Sequence, residues 1–266
     1  MECQVILSDF SNTDLPTVIH SRGWESLCDI SVSCPSMIIQ EFYSNMHRFD
    51  YSIPYFITCI WGTHIVVTPD LIFEVLQVPR VEFADYPGCP RLWIVSKDEL
   101  MSLFYETPSS WGECQNTPCS SIAKGPRFLN MVMIFVLHPL SHYNSIIEPC
   151  ARFLLSLLDG LTIDFPSYFI LFVIDVYKDT ATRDKLIFPY AVTQILHYAS
   201  ISYPESTHFS IIGAISGTSV RQSEAQFRLK QPWTETTTPL ASFAPSTFVP
   251  SSPTSGVTLE AVMAQL

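Results

Sequence analysis

Hydrophobic positions along the chain change period several times, and each change predicts an element. Residues 2–22 carry little periodic pattern and are expected to form a loosely held arm. In CPSMIIQEFYSNMHRF, Met37, Ile38, Glu41, Phe42, Asn45 and Met46 recur at spacings of one, three and four, which predicts a helix opened by Pro35 and Ser36. The pattern then shortens. In YFITCIWGTHIVVTPD, β-branched and aromatic residues flank Gly62-Thr63, predicting two short strands joined by a tight turn. Thr68-Pro69-Asp70 reads as N-cap, first-turn proline and first-turn acid of a helix through LIFEVLQV, stopped by Pro79. Between Pro79 and Pro126 prolines punctuate the chain, and Ser96 with Glu99 forms a capping box ahead of LMSLFYE.

Apolar segments at 126–140, 145–161 and 166–181, followed after the charged TRDK turn by LIFPYAVTQILHYA, have lengths that suit buried helices of a bundle-like core. The expected fold is mainly α with a small β-hairpin, an α+β class, built as a single helical domain. Its expected boundaries are an arm at 1–22, the domain at 23–200, an adjoining segment at 201–230, a linker at 231–256 and the start of an amphipathic helix at 257–266. The linker carries five prolines, one charge (Glu235) and abundant Ser and Thr, so it cannot bury enough apolar area to offset chain entropy and is expected to be a disordered tail. In the final stretch Leu259, Val262, Met263 and Leu266 follow helical spacing after Thr258, barely one heptad, the pattern expected of a truncated coiled coil.

Composition narrows the function classes. The chain is 47% hydrophobic with a net charge of -11 and only 14 Lys plus Arg, which form no run. Duplex binding normally needs clustered cations to displace counterions, so direct nucleic-acid binding through a basic patch is not expected. The opening residues contain Glu2 and Asp9 and lack a basic n-region and a long apolar h-region, so no signal peptide is expected and the location is expected to be intracellular, with nucleus and cytoplasm both open. The eight cysteines (3, 28, 34, 59, 89, 114, 119 and 150) are irregularly spaced without a C-x-x-C pair and are expected to be simple thiols.

Three readings compete for the apolar run FLNMVMIFVL. A membrane span needs roughly 20 apolar residues; this run has ten, including Asn130. The longer segment 161–177 holds Asp164, Pro166 and Asp175, and a mid-bilayer carboxylate costs about 2.5 kcal/mol or more. Buried core helices are therefore expected, and no membrane contact. A metal reading uses Cys114, Cys119, His138 and His142, spaced C-x4-C-x18-H-x3-H, a tetrahedral zinc set in type. The long spacer and Pro139 between the histidines weigh against it. A third reading takes FILFVIDVYKD as a strand presenting Asp175 to a nuclease metal ion; helical spacing, with Asp179 and Arg183 at i and i+4, is preferred. Nucleotide-binding and hydrolase signatures are missing, and lone residues such as His64 and His197 read as ordinary core or surface histidines. No catalytic, cofactor-binding or metal residue is assigned, and no cofactor is expected.

The order of segments carries more than any one of them. FYSNM, then GTHIVVTPDLIFEVLQVP, then DEL-x-x-x-F, KGPRFLNMVMIFVLHPLS and IFPYAVTQIL resembles the putative plant transposon protein domain over about residues 23–200. That resemblance implies an origin in plant transposable elements, often beside polymerase or gag-like pieces, and implies no catalytic residues. The expected function is a non-enzymatic, element-derived interaction or assembly protein acting through an unknown protein partner or self-association. The alternative is a nucleic-acid-binding or nucleic-acid-processing protein of the same element.

Overall fold

The computed structural model describes residues 2–30, 34–105, 110–111, 122–139, 146–179, 186–203, 208–209, 214–219, 221–222 and 225. Its helices are α1 (Leu15–His20), α2 (Glu25–Cys28), α3 (Ser36–Ser44), α4 (Pro69–Leu76), α5 (Arg91–Ile94), α6 (Lys97–Phe104), α7 (Lys124–Val132), α8 (Glu148–Leu158), α9 (Phe165–Lys178) and α10 (Pro189–Tyr198). Strands β1 (Cys34–Pro35) and β5 (His208–Phe209) pair antiparallel, and β2 (His47–Asp50), β3 (Tyr55–Ile60) and β4 (Thr63–Val67) form a separate antiparallel sheet in that order. The mainly helical α+β architecture is the expected one.

The expected hairpin forms with Ile60 opposite Thr63, so the turn residues are Trp61 and Gly62, at φ 47° and 83°. Positive φ at both positions matches the turn twist to the strands, at little strain for Gly62 and some for Trp61. Alternation then sorts the faces. Phe56, Thr58, Ile60, Ile65 and Val67 point inward and are buried. The Phe56 ring meets Phe42 of α3 edge-on at 5.9 Å, and the Thr58 hydroxyl donates to the Phe42 carbonyl at 2.7 Å. A third strand, β2, was not expected, because HRFD lacks alternation; it exists by pairing His47 with Ile57 and Asp50 with Tyr55.

Helix α3 forms where expected, but its buried stripe is Ile38, Ile39, Phe42 and Tyr43, while Met37 is 61% exposed. The expected stripe was rotated by one residue, since consecutive apolar residues leave the phase ambiguous. The signals that depend only on neighbouring residues hold. The Thr68 side chain accepts from the Leu71 N–H at 3.2 Å, and Ser96 and Glu99 close a reciprocal capping box. The segments read as bundle helices are α7 to α10; α10 packs on α3 and α4, α9 on α4 and β3, and α8 on α5, α6 and α7. No described helix is long and apolar enough to cross a membrane.

The first 22 residues depart from the expected loose arm. Cys3, Val5, Phe10, Leu15 and Ile19 are buried, Val5 bridges Ile215 in parallel, and Arg22 donates to the Leu157 and Leu161 carbonyls at 3.3 Å. Their apolar residues follow no single period because three short pieces, rather than one element, present them. Linker residues 231–256 and the terminal stretch 257–266 lie outside the described residues.

Candidate functional site

Of the four residues with zinc-like spacing, Cys114, Cys119 and His142 lie outside the described residues, and His138 is buried. Among the described residues no group of three or more His, Cys, Asp or Glu converges to hold a metal ion. Asp175 and Asp179 lie at the end of helix α9, as the helical reading of that segment requires; Asp175 accepts from the Tyr51 hydroxyl at 3.0 Å. Arg183 lies outside the described residues. His197 shares a 2.8 Å hydrogen bond with the Tyr203 hydroxyl, and the His64 ring lies 6.0 Å from that of His47. The thiols of Cys3 and Cys28 are each pushed up to about 12 by burial, which keeps them from forming reactive thiolates.

His138 leads to the feature with most chemical content. Helix α7 widens into a π-turn over Met133–Leu137, where the His138 N–H bonds to the Met133 carbonyl, and ends there, one residue before Pro139. Wide turns of this kind re-aim the side chains that follow. Here the imidazole is 7% exposed, stacks on Phe172 with ring centroids 4.0 Å apart, and hydrogen-bonds through Nδ1 to the Tyr168 hydroxyl. Burial pulls its pKa down to about 4 and pushes the Tyr168 hydroxyl well above the usual tyrosine range, so both are uncharged at neutral pH.

Beside this pair opens a groove of about 390 Å³. One wall is a face of α9 on which Asp164, Ser167, Tyr168, Leu171, Phe172 and Asp175 recur at helical spacing, and the opposite face of α9 sends Phe165, Phe169, Ile170, Val173 and Ile174 into the core. The other wall is segment 81–87, which runs through successive turns. Tyr86 meets Tyr168 there at 5.8 Å and 71°, making an aromatic corner.

That second wall is strapped down residue by residue. Arg80 Nε donates to both Asp164 oxygens at 3.1 and 3.3 Å, and Arg80 also pairs with Asp70. Asp85 accepts from the Thr162 N–H at 3.0 Å and its hydroxyl at 2.7 Å, bonds that hold its carboxyl below the usual range, while the Tyr86 N–H reaches the Thr162 carbonyl. Farther along, buried Arg152 of α8 holds Glu148 and donates to the Leu92 and Val95 carbonyls with Trp93 over its guanidinium at 5.1 Å. Lys97, then Arg152, hold the Glu148 carboxyl below its usual range. The strap itself carries apolar side chains into solvent: Phe83 is 84% exposed, Ile94 80% and Trp93 58%.

Of the groove residues, His138 and Asp175 stood out in the sequence for a metal chemistry they do not display with the described residues, and Asp164 only as a carboxylate against a membrane span. Tyr86 and Tyr168 carry no local signal; what joins them is the return of segment 81–87 onto α9, some eighty residues later.

No curated protein matches the chain, and no solved structure does. The segment order read over about 23–200 agrees in extent with a family-model match over residues 20–202, a putative plant retrotransposon-related domain. That match covers well over half of the chain, and the chain therefore belongs to this family.

Proposed function

We propose that this retrotransposon-related domain is a non-enzymatic interaction or assembly module that docks onto a protein surface, a partner or a second copy of itself, through the strap at 83–94. The observation that carries the reading is the division of labour between charged and apolar side chains. Several acids around the strap are engaged in holding the fold: Asp70 and Asp164 on Arg80, Asp85 on Thr162, Glu148 on Lys97 and Arg152, Glu99 on the start of α6. The strap, by contrast, places Phe83, Trp93 and Ile94 in solvent on a segment anchored at both ends. Anchored, exposed apolar side chains mark contact surfaces, because their order is already established before a partner arrives.

The test uses the full chain and a Phe83→Glu/Ile94→Glu variant, both side chains being exposed enough for the fold to tolerate the change. The wild type should self-associate in sedimentation velocity or retain a protein partner on affinity purification from plant cells, and the variant should lose about tenfold or more in that association. Co-purifying nucleic acid, or divalent-metal-dependent cleavage of it by the pure protein, would replace this reading with nucleic-acid processing.

A further inference from the structure

We infer that the groove between α9 and segment 81–87 is a binding site for an organic cation of the alkylammonium or methylated-ammonium class. The inference rests on reading the domain as a binding module and adds the ligand chemistry of a second surface on it. Its volume of about 390 Å³ falls in the range of small-molecule pockets and is far larger than a water or a bare metal ion needs. Its lining sorts by charge. Tyr86, Tyr168 and Phe172 supply π-systems whose faces attract positive charge, with the uncharged His138 stacked on Phe172. Glu82, Asp164 and Asp175 stand at the same groove and supply three carboxylates.

Among the described residues, two cations near these acids are already engaged. Arg80 lies between Asp164 and Asp70, and the Lys178 ammonium rests 4.3 Å over the Tyr51 ring, beside the hydroxyl that Asp175 accepts. Among the described residues Glu82 has no hydrogen-bond or ion-pair partner. With Asp164 paired to Arg80, an anion entering the groove would still meet the like charges of Glu82 and Asp175, and a neutral apolar molecule would strip water from those two carboxylates without replacing it. A positive head flanked by methylene or methyl groups satisfies both linings at once: its charge faces the carboxylates and rings, and its carbon shell fills the space left by Val81, Ala84 and Leu171.

The experiment titrates the full-length protein with choline and with 3,3-dimethylbutan-1-ol, its uncharged carbon isostere, following the His138 ring protons and the Leu171 methyls by NMR. Choline should shift both sets and bind about tenfold more tightly than the isostere. In a Glu82→Gln/Asp175→Asn variant that preference should fall several-fold while the affinity for the isostere does not fall. N-acetyl-trimethyl-lysine amide run alongside reports the source of the ammonium: tighter binding than choline points to a peptide side chain, weaker binding to a free small molecule, and either supports the site. Equal affinity for choline and its isostere, or no shift at His138 and Leu171 with either, overturns the proposal. Association through Phe83 and Ile94 is measured separately, so its loss and the loss of ammonium binding remain distinguishable.

Discussion

Glu2 and His138 are buried ionisable groups whose shifts oppose each other. Burial raises the Glu2 carboxyl to about 8, even though it accepts from the Tyr190 N–H, and lowers His138 to about 4. The folded state therefore holds Glu2 protonated and His138 neutral, while the unfolded chain ionises Glu2 above about 4.5 and protonates His138 below about 6.5. The Glu2 contribution is fully present below pH 4.5 and is lost as pH rises toward 8. The His138 contribution is fully present above pH 6.5 and is lost as pH falls toward 4, amounting to about 3 kcal/mol. Between roughly pH 4.5 and 6.5 the two slopes cancel, and above 6.5 only Glu2 acts. Urea midpoints should therefore fall from pH 6.5 to 8 in the wild type. In Glu2→Gln, which keeps the carbonyl acceptor for Tyr190, that fall should largely vanish. A wild-type midpoint that rises across this interval would show that Glu2 is not held neutral.

The hairpin turn tests the reading of an element from its backbone. Trp61 occupies a left-handed conformation that a bulky residue adopts at some cost, and its side chain is half exposed. Asparagine tolerates that conformation, and Asn-Gly is the favoured pair for such two-residue turns. Trp61→Asn should raise stability by about 0.5–1 kcal/mol in chemical denaturation; a comparable loss would mean that the indole contributes packing that outweighs the strain. The elements legible in the sequence are those written in adjacent residues: Thr68-Pro69-Asp70 opening α4, Ser96 with Glu99 opening α6, and the strands on either side of Gly62. The phase of α3 was misread because Met37-Ile38-Ile39 offers two helical faces, and only the Phe42–Phe56 ring contact and the hydrogen bond from the Tyr43 hydroxyl to the Ile187 carbonyl select one. Strand β2 was invisible because its irregular register, with Arg48 at φ 50°, is set by β3. The groove was invisible for the same reason at longer range. Its aromatic corner joins Tyr86 to Tyr168, and Arg80, Asp85 and Thr162 bring them together without any of them forming a motif.

The family match spans residues 20–202, but the folded unit Met1–Gln231 uses chain on both sides of it. Before residue 20, Cys3, Val5, Phe10, Leu15 and Ile19 are buried; the Phe10 ring packs edge-on against Phe128 of α7 at 5.6 Å, and Glu2 reaches the first turn of α10. After residue 202, Ile215 exchanges backbone hydrogen bonds with Gln4 and Ile6, Asp9 accepts from the Gly217 N–H at 2.6 Å, and β5 pairs with β1. The two flanks thus close on each other as well as on the core. Burying a large apolar side chain contributes about 1.5–3 kcal/mol, so Val5, Phe10, Leu15, Ile19 and Ile215 together contribute on the order of 10 kcal/mol. Natural domains are stable by about 5–15 kcal/mol in total. A fragment limited to 20–202 should therefore fail to fold cooperatively, whereas 1–231 should show a single sharp transition close to that of the full chain. The intermediate fragment 1–202 decides how the contribution divides: it keeps the buried N-terminal side chains but loses Ile215 and Gly217, so its midpoint should lie below that of 1–231. A cooperative 20–202 fragment as stable as 1–231 would show that the flanks decorate the domain rather than complete its core.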